Sequence, residues 1–179
     1  RSVNAVIQSV PNEQKHRILA GTVLDITERK RAEEKMLEER NLLITLINNL
    51  PEHIYVKDSN SRFILANAAS MSHLGAKSLD EVVGKTDFDF SPKDLALQYF
   101  VREQDLFHLG KPILNLEMRI FDHASSQMRW IIANKIPLRD AQGRVTRLVG
   151  MNHDITSRKE LQDVLSQMAA IVEHSNDAI

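Results

Sequence analysis

Residues 149–159 read Val-Gly-Met-Asn-His-Asp-Ile-Thr-Ser-Arg-Lys, and residues 20–30 read Ala-Gly-Thr-Val-Leu-Asp-Ile-Thr-Glu-Arg-Lys. Glycine, aspartate, isoleucine, threonine, arginine and lysine stand in the same register in both stretches. Each stretch precedes a charged segment of helical pattern, and this shared context favours an internal repeat over coincidence. The sequence therefore predicts two copies of one unit, each with a last strand that leads into a helix.

A second, looser similarity supports a tandem array, because residues 46–54 resemble residues 171–179. We expect the chain to be a piece of a longer protein that holds parts of three units. The predicted divisions are 1–27, the C-terminal strands of a preceding unit; 28–50, a linker helix; 43–156, a complete domain; 157–173, a second linker helix; and 174–179, the start of a following unit.

The composition excludes several classes of protein. Of the 179 residues, 42% are hydrophobic and 26% are charged, as in globular domains. The net charge of −1 gives no basic field for nucleic acid, and the absence of cysteine excludes disulfides and thiolate sites. The apolar runs are far shorter than the roughly 20 residues of a membrane span. We expect a cytoplasmic protein that neither inserts into a membrane nor binds nucleic acid.

Both linker helices have the apolar spacing of a short coiled coil. The spacing of three and four residues predicts that the two helices pair with a second copy of the chain in a parallel homodimer. The alternative is a helix packed on its own domain. The apolar positions are Ala32, Met36, Leu43, Leu46 and Leu50 in the first helix, and Leu161, Val164, Met168 and Ile171 in the second.

Between the linkers, the apolar pattern changes to that of an α+β domain. Two β-rich runs at 53–57 and 62–66 predict a hairpin, and alternation predicts three more strands at 114–120, 128–136 and 144–154. Short helical patterns fill residues 68–83. A longer helix is predicted to begin with Ser91 as its cap and Pro92 as its first residue, and to end at Gly110. The result is a five-stranded antiparallel sheet with helices between its second and third strands.

The ordered series of motifs resembles a PAS domain with its C-terminal PAC motif. The resemblance runs over residues 43–160, and residues 1–27 resemble the last strands of a preceding PAS unit. It implies a sheet of order 2-1-5-4-3 with helices on one face, and a sensing or relay role in bacterial signalling proteins, commonly sensor histidine kinases or cyclic-di-GMP enzymes. The motifs lie at 48–58, 63–67, 84–90, 129–130, 136–140, 143–144 and 150–156.

No catalytic pattern accompanies the fold, so we expect a regulatory segment rather than an enzyme. The seven histidines lack a phosphoacceptor context, the six glycines form no phosphate loop, and no His-Glu-x-x-His metal pattern occurs. An enzymatic output is expected in the parent protein, as a kinase or a cyclic-di-GMP enzyme.

The resemblance implies a pocket between the sheet and the long helix. His108 stands near the helix end, where a solvent-facing role is commoner than haem ligation, and without cysteine only noncovalent flavin remains open. We therefore favour no cofactor, or a small metabolite, over flavin or haem. The candidate pocket residues are Tyr99, Arg102, Phe107, Met118, Trp130, Ile132 and Asn134.

The Asp154-Ile155-Thr156 triplet is the candidate signal-transfer joint. The Asp154 side chain is expected to accept from the amide two residues on, and Thr156 to cap the following helix. The resemblance implies that this joint passes changes in the sheet to the coiled coil, and the equivalent residues upstream are Asp25, Ile26 and Thr27. We therefore predict a sensory or relay module that works with adjacent PAS and output domains, most simply in a sensor histidine kinase. The alternative is a ligand-free dimerisation or spacer module, for example in a diguanylate cyclase or phosphodiesterase.

Overall fold

The computed structural model describes residues 3–11 and 17–176, and the chain divides into two compact units, residues 1–46 and 47–179. In the first unit, β1 (Val3–Pro11) pairs antiparallel with β2 (Arg17–Asp25). Helix α1 (Thr27–Asn48) follows directly and has no buried residue. The strand content predicted for residues 1–27 is present, whereas their origin in a preceding unit stays a prediction.

The second unit contains the predicted five-stranded antiparallel sheet. Its strands are β3 (His53–Asp58), β4 (Phe63–Ala66), β5 (Ile113–Asp122), β6 (Gln127–Arg139) and β7 (Val145–Asp154). They lie in the order β4-β3-β7-β6-β5, which in the domain's own count is 2-1-5-4-3. This confirms the predicted fold class and strand order.

Short helices and one long helix join β4 to β5. Helix α2 (Ala68–His73) and two 3-10 turns, Leu79–Glu81 and Asp87–Asp89, precede α3 (Lys93–Leu109). Gly110 ends α3 in the left-handed conformation at φ +63°, as predicted, because a residue without Cβ enters that region freely. The predicted start of α3 is wrong: the helix begins at Lys93, Pro92 occupies the cap position, and no side chain caps it.

Asn67 fixes the beginning of α2 against the sheet. Its side-chain oxygen accepts from the amides of Ser70 and Ile54 at 2.9 and 3.0 Å, and its amide group donates to the carbonyls of Ile47 and Glu52. With all four groups satisfied, Asn67 is fully buried at little cost. Asn67 is also the last residue of the motif at 63–67.

The core lies between the sheet and the helices, in two clusters. Each cluster joins side chains of the sheet to one side chain or more from α3. The predicted second linker, 157–173, lies entirely within helix α4 (Thr156–Asn176). Of the predicted following unit, residues 174–176 also belong to α4, and residues 177–179 lie outside the described residues. The clusters are Tyr55, Phe63, Ala66, Leu74, Val82, Leu106 and Leu148, and Tyr99, Ile120, Ile131 and Ala133.

No helix within residues 3–11 and 17–176 is both long enough and apolar enough to cross a membrane.

Candidate functional site

A partly open cavity of about 50 Å³ lies between the inner face of the sheet and the helices. Its middle is apolar, because Met118, Ile120, Ile131 and Ala133 alternate inward along β5 and β6. At roughly 10–15 Å³ for each water-sized occupant, the cavity has room for a few small molecules of water or one small ligand. It is far below the roughly 300 Å³ at which pockets for drug-sized ligands begin, so it does not fit a flavin or a haem as it stands.

One wall of the cavity adjoins a cluster of buried charges. Lys57 on β3 donates to both carboxylate oxygens of Glu103 on α3, at 2.9 and 3.2 Å, and also to Asp87. Lys135 on β6 donates to the same Glu103 at 2.5 Å. The Lys57 and Glu103 side chains are 1% and 0% exposed, so these bonds form without competition from water. The cluster connects the sheet to α3.

The charges in this cluster stabilise one another. Burial alone lowers the pKa of Lys57, but Asp87 and Glu103 more than offset burial, so the net pKa is raised. Burial alone raises the pKa of Glu103, yet Lys57 and Lys135 lower it below its ordinary value. The lysines are therefore protonated and Glu103 is ionised at neutral pH.

Sequence reasoning missed these charged residues because lysine and glutamate are rarely buried. A signal was present in the strand alternation. Tyr55 and Lys57 share one face of β3, and Lys135 shares a face of β6 with Ile131 and Ala133, so both lysines stand at inward positions. The Lys57 ammonium also lies 4.5 Å from the centre of the Phe63 ring, in a cation–π contact.

The structure places the seven predicted pocket residues in different surroundings. Tyr99 and Met118 line the cavity. Arg102 lies in a separate surface groove of about 210 Å³, and Phe107 packs against the core. His108 lies at the exposed end of α3, where its ring Nδ1 donates to the Gln104 carbonyl at 2.7 Å.

The three pocket residues predicted on β6 do not line this cavity. Ile131, Ala133 and Lys135 line the cavity, so the alternating positions at Trp130, Ile132 and Asn134 lie on the opposite face. Both faces of this interior strand are partly apolar, and the sequence pattern therefore does not define which one faces inward. Whether any of the seven predicted residues binds a ligand stays a prediction.

The start of α4 is fastened to β6 beside the cavity. The Asp154 side chain accepts from the Thr156 amide at 2.7 Å, which is the turn that the sequence predicts. The Thr156 hydroxyl accepts from the Trp130 amide at 2.9 Å, and the Ile155 amide donates to the Trp130 carbonyl at 2.8 Å. Thr156 is therefore the first residue of α4 and bonds to the sheet, instead of capping the helix with its side chain.

Ion pairs strengthen the same junction. Glu117 on β5 pairs with Arg158 at 2.7 Å and with Lys159 at 2.6 Å. The Lys159 ammonium lies 5.3 Å from the centre of the Trp130 ring. The first turn of α4 is thus anchored to both β5 and β6.

The upstream joint has the same turn. The Asp25 side chain accepts from the Thr27 amide at 3.0 Å, and the Ile26 carbonyl accepts from the Lys30 amide at 3.0 Å. The two repeated stretches therefore adopt one local structure. The signal-transfer role of both triplets stays a prediction.

A stacked histidine pair lies near the main joint. The rings of His53 and His73 are 4.5 Å apart, and His73 lies 3.3 Å from Asp122. Burial and the neighbouring His73 lower the pKa of His53 to about 4. Both rings line a surface groove of about 290 Å³ that also includes Asp154, and His73 additionally lines the partly open cavity. Among residues 3–11 and 17–176, no group of three or more side chains is suited to hold a metal ion.

The second unit is thus an α+β domain in which an antiparallel sheet and its helices line a small cavity, and the last strand leads into a long helix. Residues 47–160 match the PAS fold family, and the chain belongs to that family.

The similar proteins are signalling proteins. The chain is 32% identical over 128 residues to the methanogenesis regulatory histidine kinase FilI of Methanothrix harundinacea. That match covers 71% of this chain and 14% of FilI. The chain is also 32% identical over 140 residues to the virulence sensor protein BvgS of Bordetella pertussis, covering 76% and 11%. The solved PAS domain of that BvgS superposes with a TM-score of 0.56 at 25% identity, over 74% of this chain and 98% of that one. The chain thus spans only a small part of the length of these two proteins.

Proposed function

We propose that this PAS domain is a sensory or signal-relay module of a multi-domain signal-transduction protein, and that the parent protein is a sensor histidine kinase. The similarity to the histidine kinase FilI and to the virulence sensor protein BvgS supports this assignment. A diguanylate cyclase of Vibrio cholerae, 28% identical over 69% of this chain and 38% of its own length, supports a cyclic-di-GMP enzyme as the alternative parent.

The observation that best supports a relay is the position of α4 on β6. Ile131 lines the cavity, while the backbone of the adjacent Trp130 holds both Ile155 and Thr156. A molecule or an upstream change that displaces Ile131 also displaces the residues that fix the start of α4. The signal is then a shift between two positions of that helix.

In a homodimer, a shift of α4 would change how the helices of the two copies pack against each other. Leu161, Val164 and Met168 form an apolar stripe on α4 and are 61%, 45% and 58% exposed. In α1, Met36 and Leu43 are 70% and 62% exposed at the matching spacing. A second copy of the chain that paired through these stripes would cover them as in a coiled coil. We propose a parallel homodimer on this ground.

The alternative function is a ligand-free dimerisation or spacer module. The observation in its favour is that Lys57 already has all three of its donors directed at Glu103 and Asp87, so this part of the interior is complete without a ligand.

Spin labels on α4 distinguish the two functions. Since the chain has no cysteine, Gln162→Cys provides one label per chain at an exposed position. For a relay we expect a defined label-to-label distance in the dimer, which shifts when Lys135→Met alters the cavity wall. Adding Thr156→Val should suppress that shift, because it removes the hydroxyl that bonds to Trp130.

The matched control is Lys93→Met, an exposed lysine at the start of α3, which should leave the distance unchanged. A distance that ignores Lys135→Met would favour the spacer function. The absence of any intermolecular distance would contradict the homodimer.

A further inference from the structure

The cavity has polar groups whose hydrogen bonding is incomplete. Among the described residues, the ammonium of Lys135 has one hydrogen-bond partner, Glu103, although an ammonium carries three donors. The side-chain oxygen of Asn152 is buried with no partner, and Asn152 is only 8% exposed. Both residues line the cavity. A buried acceptor left unpaired is costly, so a molecule that donates to Asn152 is favoured there.

The two polar groups define the ends of a small site. Ala133 is the register partner of Asn152, and Lys135 lies two residues further along the same face of β6. Such diagonal neighbours are roughly 7–8 Å apart at the backbone. The wall beside them is apolar, because Ala133 lies next to Asn152 and Ile131 follows on the same face of β6, away from Lys135. The site therefore suits a molecule with an acceptor for Lys135, a donor for Asn152 and a short apolar body.

The charges around the cavity are already balanced. Lys57 and Lys135 carry two positive charges, and Glu103 and Asp87 carry two negative charges. The remaining titratable groups of the wall are neutral at pH 7. Burial raises the pKa of Tyr55 and raises that of Tyr99 to about 12, and burial lowers the pKa of His73. An ionised ligand would add an unpaired buried charge, which is strongly unfavourable.

We propose that the cavity binds a small neutral molecule of roughly four to six non-hydrogen atoms that accepts a hydrogen bond from Lys135 and donates one to Asn152. Hydroxy-ketones, small hydroxy-amides and lactams belong to this class. The proposal rests on the proposed sensory function, since it names the class of stimulus for that same cavity.

Three probes of nearly equal size test the class on the unaltered protein. They are 4-hydroxybutan-2-one, which has both groups; 3-hydroxypropanoate, in which a carboxylate replaces the methyl ketone; and butan-2-one, which lacks the hydroxyl. Each is titrated against the ¹⁵N-labelled chain, and amide shifts at Ala133, Lys135 and Asn152 report binding. We expect saturable binding of 4-hydroxybutan-2-one and dissociation constants at least about tenfold higher for the other two.

Two variants assign the contacts. Lys135→Met and Asn152→Leu should each abolish the saturable shifts with 4-hydroxybutan-2-one, whereas Lys93→Met should leave them intact. The dispersion of each amide spectrum establishes that the variant is folded. The comparison of the three probes does not depend on any variant.

Binding of 3-hydroxypropanoate as tight as that of 4-hydroxybutan-2-one would overturn the neutral class. No saturable binding of 4-hydroxybutan-2-one would overturn the proposal as a whole. Either result leaves the relay function intact if the α4 label distance still responds to Lys135→Met, so the two failures are distinguishable.

Discussion

Replacing Glu103 by glutamine removes the negative charge that two buried lysines share. Lys57 retains Asp87, but Lys135 loses its one anionic partner among the described residues, because a glutamine oxygen can still accept its hydrogen bond but carries no charge. Breaking a buried ion pair by removal of one partner costs about 3–5 kcal/mol. For a domain of this size we expect Glu103→Gln to lower the melting temperature by about 10–20 °C.

Urea unfolding, followed by the fluorescence of Trp130, the single tryptophan, measures the loss in the free energy of unfolding. The matched control is Glu117→Gln, because Glu117 also pairs with two cations but is 40% exposed. Exposed ion pairs contribute little, so the control should unfold close to the wild type. The double variant Glu103→Met/Lys135→Met leaves only Lys57 and Asp87, a balanced pair, and should be more stable than Glu103→Gln.

The effect of Glu103→Gln on the free energy of unfolding should depend on pH. The folded-state pKa of Glu103 lies below its ordinary value of 4.5, so its contribution is complete above pH 4.5 and is lost as the pH falls through the folded value. The difference in unfolding free energy between wild type and Glu103→Gln should therefore shrink below pH 4.5. A loss of less than about 1 kcal/mol at pH 7, or a double variant less stable than Glu103→Gln, would refute the account of a charge-balanced cluster.

Three further changes test other parts of the structure. Gly150→Ala should destabilise the domain by at least about 1–3 kcal/mol in urea unfolding, because a Cβ at this position would overlap the ring of Tyr55; a neutral result would contradict that packing. His53→Phe should reduce acid sensitivity between pH 6.5 and about 4. The folded pKa of His53, about 4, lies below its ordinary 6.5, so the unfolded chain takes up the proton first and stability falls by about 3 kcal/mol as the pH drops through that window. Equal pH profiles for the variant and the wild type would count against this account. Asp154→Ala removes the acceptor of the Thr156 amide, and in the full-length parent it should abolish the response of the output while amide spectra of the domain stay native-like; an unchanged response would argue against the joint.

The sheet and its ends were predictable from sequence because their signals are local. Alternation identified the strands, Gly110 marked the end of α3, and Asp154 marked the turn into α4. The inward face of β6 was not predictable, since Trp130 and Ile132 look as suitable for a core as Ile131 and Ala133. Only the pairing of β6 between β5 and β7 decides which set faces the cavity.

The charged interior was hidden for a different reason. Lys57, Glu103 and Lys135 lie far apart in the sequence and come from a strand, a helix and another strand. Each of them alone resembles an ordinary surface residue, and burial becomes favourable only when all of them are together. Local sequence patterns do not show that residues so far apart in the sequence lie close together in the fold.

The turn shared by Asp25–Thr27 and Asp154–Thr156 has an evolutionary consequence. Because the carboxylate-to-amide bond is made entirely within three consecutive residues, the connector needs no partner elsewhere in its own unit to form. Genes that duplicate, delete or exchange whole segments at this point would produce a chain with an intact connector each time. An array of such units could then gain or lose units without any new interaction at the turns that join each unit to its following helix.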